Sequence, residues 1–243
     1  TVYAELNGKC TDSKTIDVPM GSTAALPKVT LSFNDPKTFT VNGISFNMIP
    51  VEGGTFTMGA TSEQGSDGES DEKIHQVTLS SYYIGQTEVT QALWKAVMGK
   101  NPSYFSGDNK PVEEVSWKDC QKFISKLKKL TGKQFRLPTE AEWEYACRGG
   151  NKSRGYKYSG SNNIDDVAWY DGSRGSDYGT QPIATKSPNE LGIYDMSGNV
   201  YEWCQDWKGS YSSSPQTNPT GAASGSFRVR RGGCWYFSAR DCR

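Results

Sequence analysis

Gly192-Ile193-Tyr194-Asp195-Met196-Ser197-Gly198-Asn199-Val200-Tyr201-Glu202-Trp203 sets two carboxylates, Asp195 and Glu202, seven residues apart around a glycine-containing turn. Calcium takes about six to eight oxygens and accepts main-chain carbonyls readily. A turn glycine lets those carbonyls point inward. The residues alone leave two readings open, a cation loop or a hydrogen-bonded turn. Around this string, from Asn151 onward, Gly, Ser, Asn and aromatic residues dominate and helical periodicity vanishes. That half of the chain reads as loops joined by short strands.

Upstream, three segments carry helix signals. Thr90 caps a segment whose Leu93, Trp94, Val97 and Met98 share a face before Gly99. Ser116 opens a second, with Phe123, Ile124, Leu127 and Leu130 at helical spacing before Gly132. Thr139-Glu140-Ala141-Glu142 is a capping box for a third, which stops at Gly149-Gly150. Three amphipathic helices need a partner surface, and strands are expected at Phe46–Pro50 and Thr55–Met58. Alternation at Lys28–Phe33 and the turn clusters Asn34-Asp35-Pro36 and Asn42-Gly43 suggest a small β appendage over residues 1–43, ahead of a main domain over 44–243. Glu63–Glu72 holds five acids and reads as a solvated loop or a weaker cation site. The whole is expected to be α+β, with loops forming much of the surface.

Composition narrows the function. Twenty-seven Lys+Arg balance 27 Asp+Glu, which argues against nucleic acid as partner. No apolar run is long enough to span a bilayer. One histidine, His75, and six cysteines without a CxxC pair exclude structural zinc. His75 reads as a structural or surface residue and not as a catalytic base. An even cysteine count fits an exported protein, periplasmic, cell-surface or secreted, whose signal is absent from this chain. Buried free thiols in a cytoplasmic protein are the other possibility.

Five strings occur in order: Val51–Gly59 (VEGGTFTMG), Glu88-Val89-Thr90, Arg136–Ala146 (RLPTEAEWEYA), Gly192–Trp203, and Arg230-Arg231-Gly232-Gly233. Over about residues 46–243 the chain thereby resembles the formylglycine-generating enzyme (sulfatase-modifying factor) family. The resemblance implies a C-type-lectin-like fold of the formylglycine-generating-enzyme type. It also implies calcium held by the side chains of Asp195 and Glu202 and the carbonyls of Gly198 and Val200. A second family calcium site, near Ala168, Trp169 and Asp177, is not carried over, because Val167 stands near its expected Asn.

The family's oxidases convert a sulfatase cysteine to formylglycine with copper(I) on two thiols, a metal that suits soft ligands. Aligned on Gly232-Gly233, Cys234 falls at a serine, Phe237 at the first thiol and Cys242 at the second. One thiol is missing, so catalysis would rest on Cys242 only if another cysteine replaced it. Cys234 and Cys242 can instead be a disulfide, be paired with Cys147 or Cys204, or be free.

The family also includes binding proteins, among them variable proteins of diversity-generating retroelements. These have a Gly-Gly-Ser-Trp start followed by positions diversified at adenines. Tyr236, Phe237, Ser238 and Asp241 are each reachable from the codon AAC by changing adenines alone, and Cys234 from a serine AGC. The resemblance therefore implies a ligand-binding surface of Cys234, Trp235, Tyr236, Phe237, Ser238 and Asp241 for an unknown protein or glycan. Tyr and Trp supply contact area at low entropic cost. Five arginines against one aspartate make residues 228–243 basic. Family members continue with a further Gly-Phe-Arg strand, so the native C-terminus is expected beyond Arg243.

Overall fold

The computed structural model describes residues 35–62, 73–173 and 178–243, together with the backbone of Glu5–Leu6. The alternating run at 28–33, the acidic loop 63–72 and Asp177 lie outside the described residues.

Strand β1 (Glu5–Leu6) pairs with β7 (Phe135–Arg136). Strands β2 (Lys37–Val41) and β3 (Ile44–Val51) form a hairpin in antiparallel register, Val41 opposite Ile44. Its two-residue turn has Asn42 at φ 48° and Gly43 at φ 83°, which matches the strand twist and favours an Asn-Gly pair. The expected appendage boundary, between Gly43 and Ile44, falls within this hairpin, where the turn passes into β3. Strand β6 (Tyr82–Gly85) completes that sheet against β3. A second three-stranded sheet joins β4 (Gly54–Met58), β5 (His75–Leu79) and β9 (Gln216–Thr217), the last pair being parallel. Strands β8 (Glu202–Trp207) and β10 (Arg228–Arg231) pair antiparallel, with a register shift between Arg228 and Arg230.

Helices α1 (Gln91–Met98), α2 (Trp117–Thr131) and α3 (Glu140–Cys147) form where the caps place them. The side chains of Thr90, Ser116 and Thr139 each accept from the amide three residues on. The apolar stripes of α1 and α2 meet in one core, where the Trp94 and Phe123 rings stack 4.9 Å apart. Helix α3 is enclosed more fully, and every residue from Ala141 to Cys147 is buried. Its polar side tolerates this because its acids are paired. Arg136 donates to both oxygens of Glu142 at 2.7 and 2.6 Å, and Arg231 donates to Glu144 at 2.6 Å. A second core surrounds Trp143, Ile84, Met196, Cys204 and Val229. Among the described residues of the loop-rich half there is one α-helix, α4 (Ile164–Val167), a single turn too short to show a periodicity.

Cys120, Cys147, Cys204, Cys234 and Cys242 carry no disulfide. Burial pushes the thiols of Cys120 and Cys147 up to about 12. His75 is buried, its Nδ1 2.9 Å from the Lys73 carbonyl, and its ring meets Tyr211 edge-on. No helix among the described residues is long and apolar enough to cross a membrane.

Asp206 on β8 accepts from the Glu140 amide at the start of α3, at 3.0 Å. Burial, then the nearby Glu140 and Glu142 carboxylates, raise it from 3.8 to about 7. Its folded-state value exceeds its unfolded one, so folding takes up a proton. The Asp206 contribution to stability is therefore complete below about pH 4 and is lost as pH rises through about 7. Asp206→Asn is expected to flatten the fall in melting temperature across this window. Parallel melts of the two proteins from pH 4 to 8 check it, and identical pH profiles would refute it.

Candidate functional site

The Asp195–Glu202 turn is buried against helix α3 and the loop before α1. Asp195 and Asn199 adopt left-handed backbone, at φ 58° and 56°. Asp195 accepts from the Ala184 amide at 2.7 Å, and one Glu202 oxygen accepts from the Trp143 indole at 2.6 Å. The other Glu202 oxygen, Oε1, is buried without a hydrogen-bond partner. Gly198 has φ 85°, and a Cβ there would collide with the Trp169 carbonyl, so Gly198→Ala is expected to lower the melting temperature. An unchanged melt would contradict that placement.

Glu88, which lies in one of the five ordered strings, enters the turn from across the chain. It accepts from the Asn199 side chain at 2.7 Å and from the Val200 amide at 3.2 Å. Three buried carboxylates thus lie within electrostatic reach of one another. Burial raises all three, with Asp195 and Glu202 adding repulsion at Glu88 and Asp195 adding it at Glu202. Asp195 reaches about 6. An orphaned buried carboxylate oxygen beside a second acid is a fit for a hard cation. No three His, Cys, Asp or Glu side chains converge as ligands among the described residues. A calcium ion here would therefore draw part of its shell from main-chain carbonyls, as Gly198 and Val200 can supply.

The turn is tied to the C-terminal loop. The Gly198 amide donates to Gly232 O at 2.7 Å, and the Trp235 amide donates to Asn199 O at 2.9 Å. Farther on, the Asp171 amide donates to Phe237 O at 3.0 Å. The loop so held projects Trp235, Tyr236 and Phe237 in succession, with ring centroids 5.4 and 6.1 Å apart. Ser238 and Asp241 are exposed beside them and bonded to each other at 2.7 Å. Cys234 is half-buried and Cys242 fully buried.

The rings do not stop at the loop. Trp235 meets Phe105 and Tyr178 at 5.3 and 4.7 Å, Phe105 meets Tyr104 at 4.9 Å, and Phe237 meets Tyr201 at 5.5 Å. Arg230 lies over Tyr201 at 4.3 Å and closes that end. Seven rings form one ridge. Several are open to solvent, with Tyr104 80%, Tyr178 66%, Tyr236 57% and Phe237 39% exposed. Only the three rings from 235 to 237 were visible as a group in the sequence, because the others arrive from separate loops.

The neighbouring arginines divide by role. Arg228 is stacked between Trp117 and Trp207 at 3.9 and 3.5 Å and donates to Gln205 O. Arg231 is paired with Glu144, so both are structural. Arg230 is exposed and, with Lys208, lines a cleft of about 620 Å³ that meets the ridge at Tyr201.

A family model, the sulfatase-modifying factor enzyme 1-like domain, matches residues 32–243. The chain is 37% identical to the chaperone protein LppX of Paenibacillus barcinonensis, covering 80% of each protein. It is 35% identical to the formylglycine-generating enzyme of Mus musculus, over 70% of this chain and 46% of that enzyme, so it spans less than half of it. Among solved structures, Treponema denticola variable protein 1 superposes with a TM-score of 0.75 at 35% identity, over 85% of this chain and 90% of that one.

Proposed function

The chain belongs to the sulfatase-modifying factor enzyme 1-like family, and on that premise we propose that it is an exported ligand-binding protein presenting its aromatic ridge on a C-type-lectin-like scaffold. The observation that carries this reading is the exposed run of rings from Tyr104 to Tyr201, centred on Trp235. Exposed apolar patches of this kind mark interaction sites. Likeness to a variable protein supports a tolerant binding loop, and retroelement diversification of Tyr236, Phe237, Ser238 and Asp241 belongs to the same proposal. The name of the LppX relative, a chaperone, favours a polypeptide ligand over a glycan.

Calcium at the Asp195–Glu202 turn would neutralise the buried acids and fix the turn that holds the Trp235 amide. Asp195, Glu202 and the carbonyls of Gly198 and Val200 would hold it. Glu88 would keep Asn199 and Val200 in place from outside the shell.

The oxidase alternative is disfavoured by two residues. Phe237 occupies the place of one family thiol, and Cys242 is buried with its thiol pushed up to about 12. Arrays of peptides and glycans should yield a binder that Trp235→Ala weakens at least about tenfold, the loss of a central aromatic anchor. Binding indifferent to Trp235, or formylglycine formed in a cysteine-containing sulfatase peptide by the copper-loaded protein, would overturn the reading. At the locus, a near-copy of the 3′ coding segment differing at adenines is expected, and its absence would sink diversification.

A further inference from the structure

The two ends of the loop that carries the ridge are both cysteines, and the fold brings them together. Gly233 has φ 71°, and a Cβ there would lie 2.8 Å from the Cys242 sulfur and 2.6 Å from Asp241 O. The Cys242 thiol is thus packed against the peptide that leads into Cys234, with the Cys234 N–H aimed at its sulfur. The lack of a side chain at Gly233 is what permits the approach.

The two thiols differ in access. Cys242 is buried, whereas Cys234 is half-buried and faces the amides of Tyr236 and Phe237. Burial raises the Cys234 thiol above its ordinary value, and these two amides offset part of that rise. The remaining described cysteines, 120, 147 and 204, are all buried in the two cores. Among the described cysteines, Cys234 is the one through which an oxidant in solution can enter.

We propose that Cys234 and Cys242 are a reversible dithiol, whose oxidation to a disulfide closes the loop 234–242 beneath the aromatic ridge. With a low-molecular-weight disulfide as oxidant, the Cys234 thiolate attacks one sulfur and displaces a thiolate. A mixed disulfide forms. The Cys242 sulfur then attacks Cys234 Sγ and displaces the second thiolate. Two protein thiols are oxidised, one small disulfide is reduced to two thiols, and the protons of both cysteines pass to the leaving thiolates. Closing the loop adds a covalent tie to the span holding Trp235, Tyr236 and Phe237, beside its hydrogen bonds to Asn199 and Asp171 and its ring contacts.

The chemistry stands apart from the binding role, and only its effect on ligand affinity rests on that reading. The test is peptide mapping of the full chain after equilibration with oxidised glutathione, before and after dithiothreitol. The expected result is a 234–242 crosslink that dithiothreitol removes, with slower amide exchange at 235–241 in the oxidised form. Cys242→Ser should leave a glutathione adduct at Cys234. Should that variant not fold, differential alkylation of the wild type must show the two thiols protected together. Both thiols remaining free, or a crosslink of either to Cys147 or Cys204, would overturn the proposal, whatever the arrays show about binding.

Discussion

Melting in excess chelator is expected roughly 5–10 °C below melting in calcium at about a hundred times its dissociation constant. A ligand that binds only the folded state at that excess adds about 2.7 kcal/mol, and each kcal/mol moves the midpoint of a domain this size by about 2–4 °C. The physical basis is the burial of Glu88, Asp195 and Glu202 together, with Glu202 Oε1 lacking any protein partner. Burial holds all three above the ordinary carboxylate range, and repulsion between acids adds to this at Glu88 and Glu202, so without a cation they favour their protonated forms. With one, the acids can ionise and the turn is fixed. The effect should reach the ridge, because the Trp235 amide bonds to Asn199 O inside the same turn. Differential scanning calorimetry with calcium, magnesium and chelator checks this. A midpoint unmoved by chelator would mean that the turn is a protonated hydrogen-bond network.

Glu144→Ala is expected to cost about 3–5 kcal/mol, the range for breaking a buried pair by removing one partner. This corresponds to roughly 6–20 °C in the melting midpoint. Glu144 is 3% exposed and accepts from the Gly59 amide at 3.0 Å, from Arg148 at 3.0 Å and from Arg231 at 2.6 Å. One carboxylate therefore joins helix α3 to the end of β4 and to β10. Its removal strands the guanidinium of Arg231 beside Trp143, with Glu140 3.7 Å away. Arg148 keeps its bonds to Thr61 and Gly59 O, so most of the loss should arise at Arg231. Thermal unfolding decides the matter, and a midpoint matching wild type would show that solvent reaches these arginines. Glu144→Gln, which keeps an acceptor and loses the charge, should fall between.

Local chemistry made several elements readable. A cap acts over three residues, so Thr90, Ser116 and Thr139 announced α1, α2 and α3 within the string that forms them. The Asn42-Gly43 turn is equally local, since the pair itself tolerates the positive φ that the hairpin demands. The Asp195–Glu202 turn and the loop from Cys234 to Cys242 were legible as units for the same reason. Burial of the whole of α3 was not, because its acids look solvent-facing until Arg136 and Arg231 are brought to them.

By itself, then, the sequence determined the helix starts, the tight turns and the family strings, all of which depend on residue type and short spacing. Tertiary structure alone decided that Glu88 meets Asn199, 111 residues away, that Tyr104, Phe105, Tyr178 and Tyr201 extend the rings of the 235–237 loop, and that Cys242 lies against the peptide before Cys234. Such contacts are set by how separate loops pack on a shared core, and no short-range preference of the residues involved encodes them.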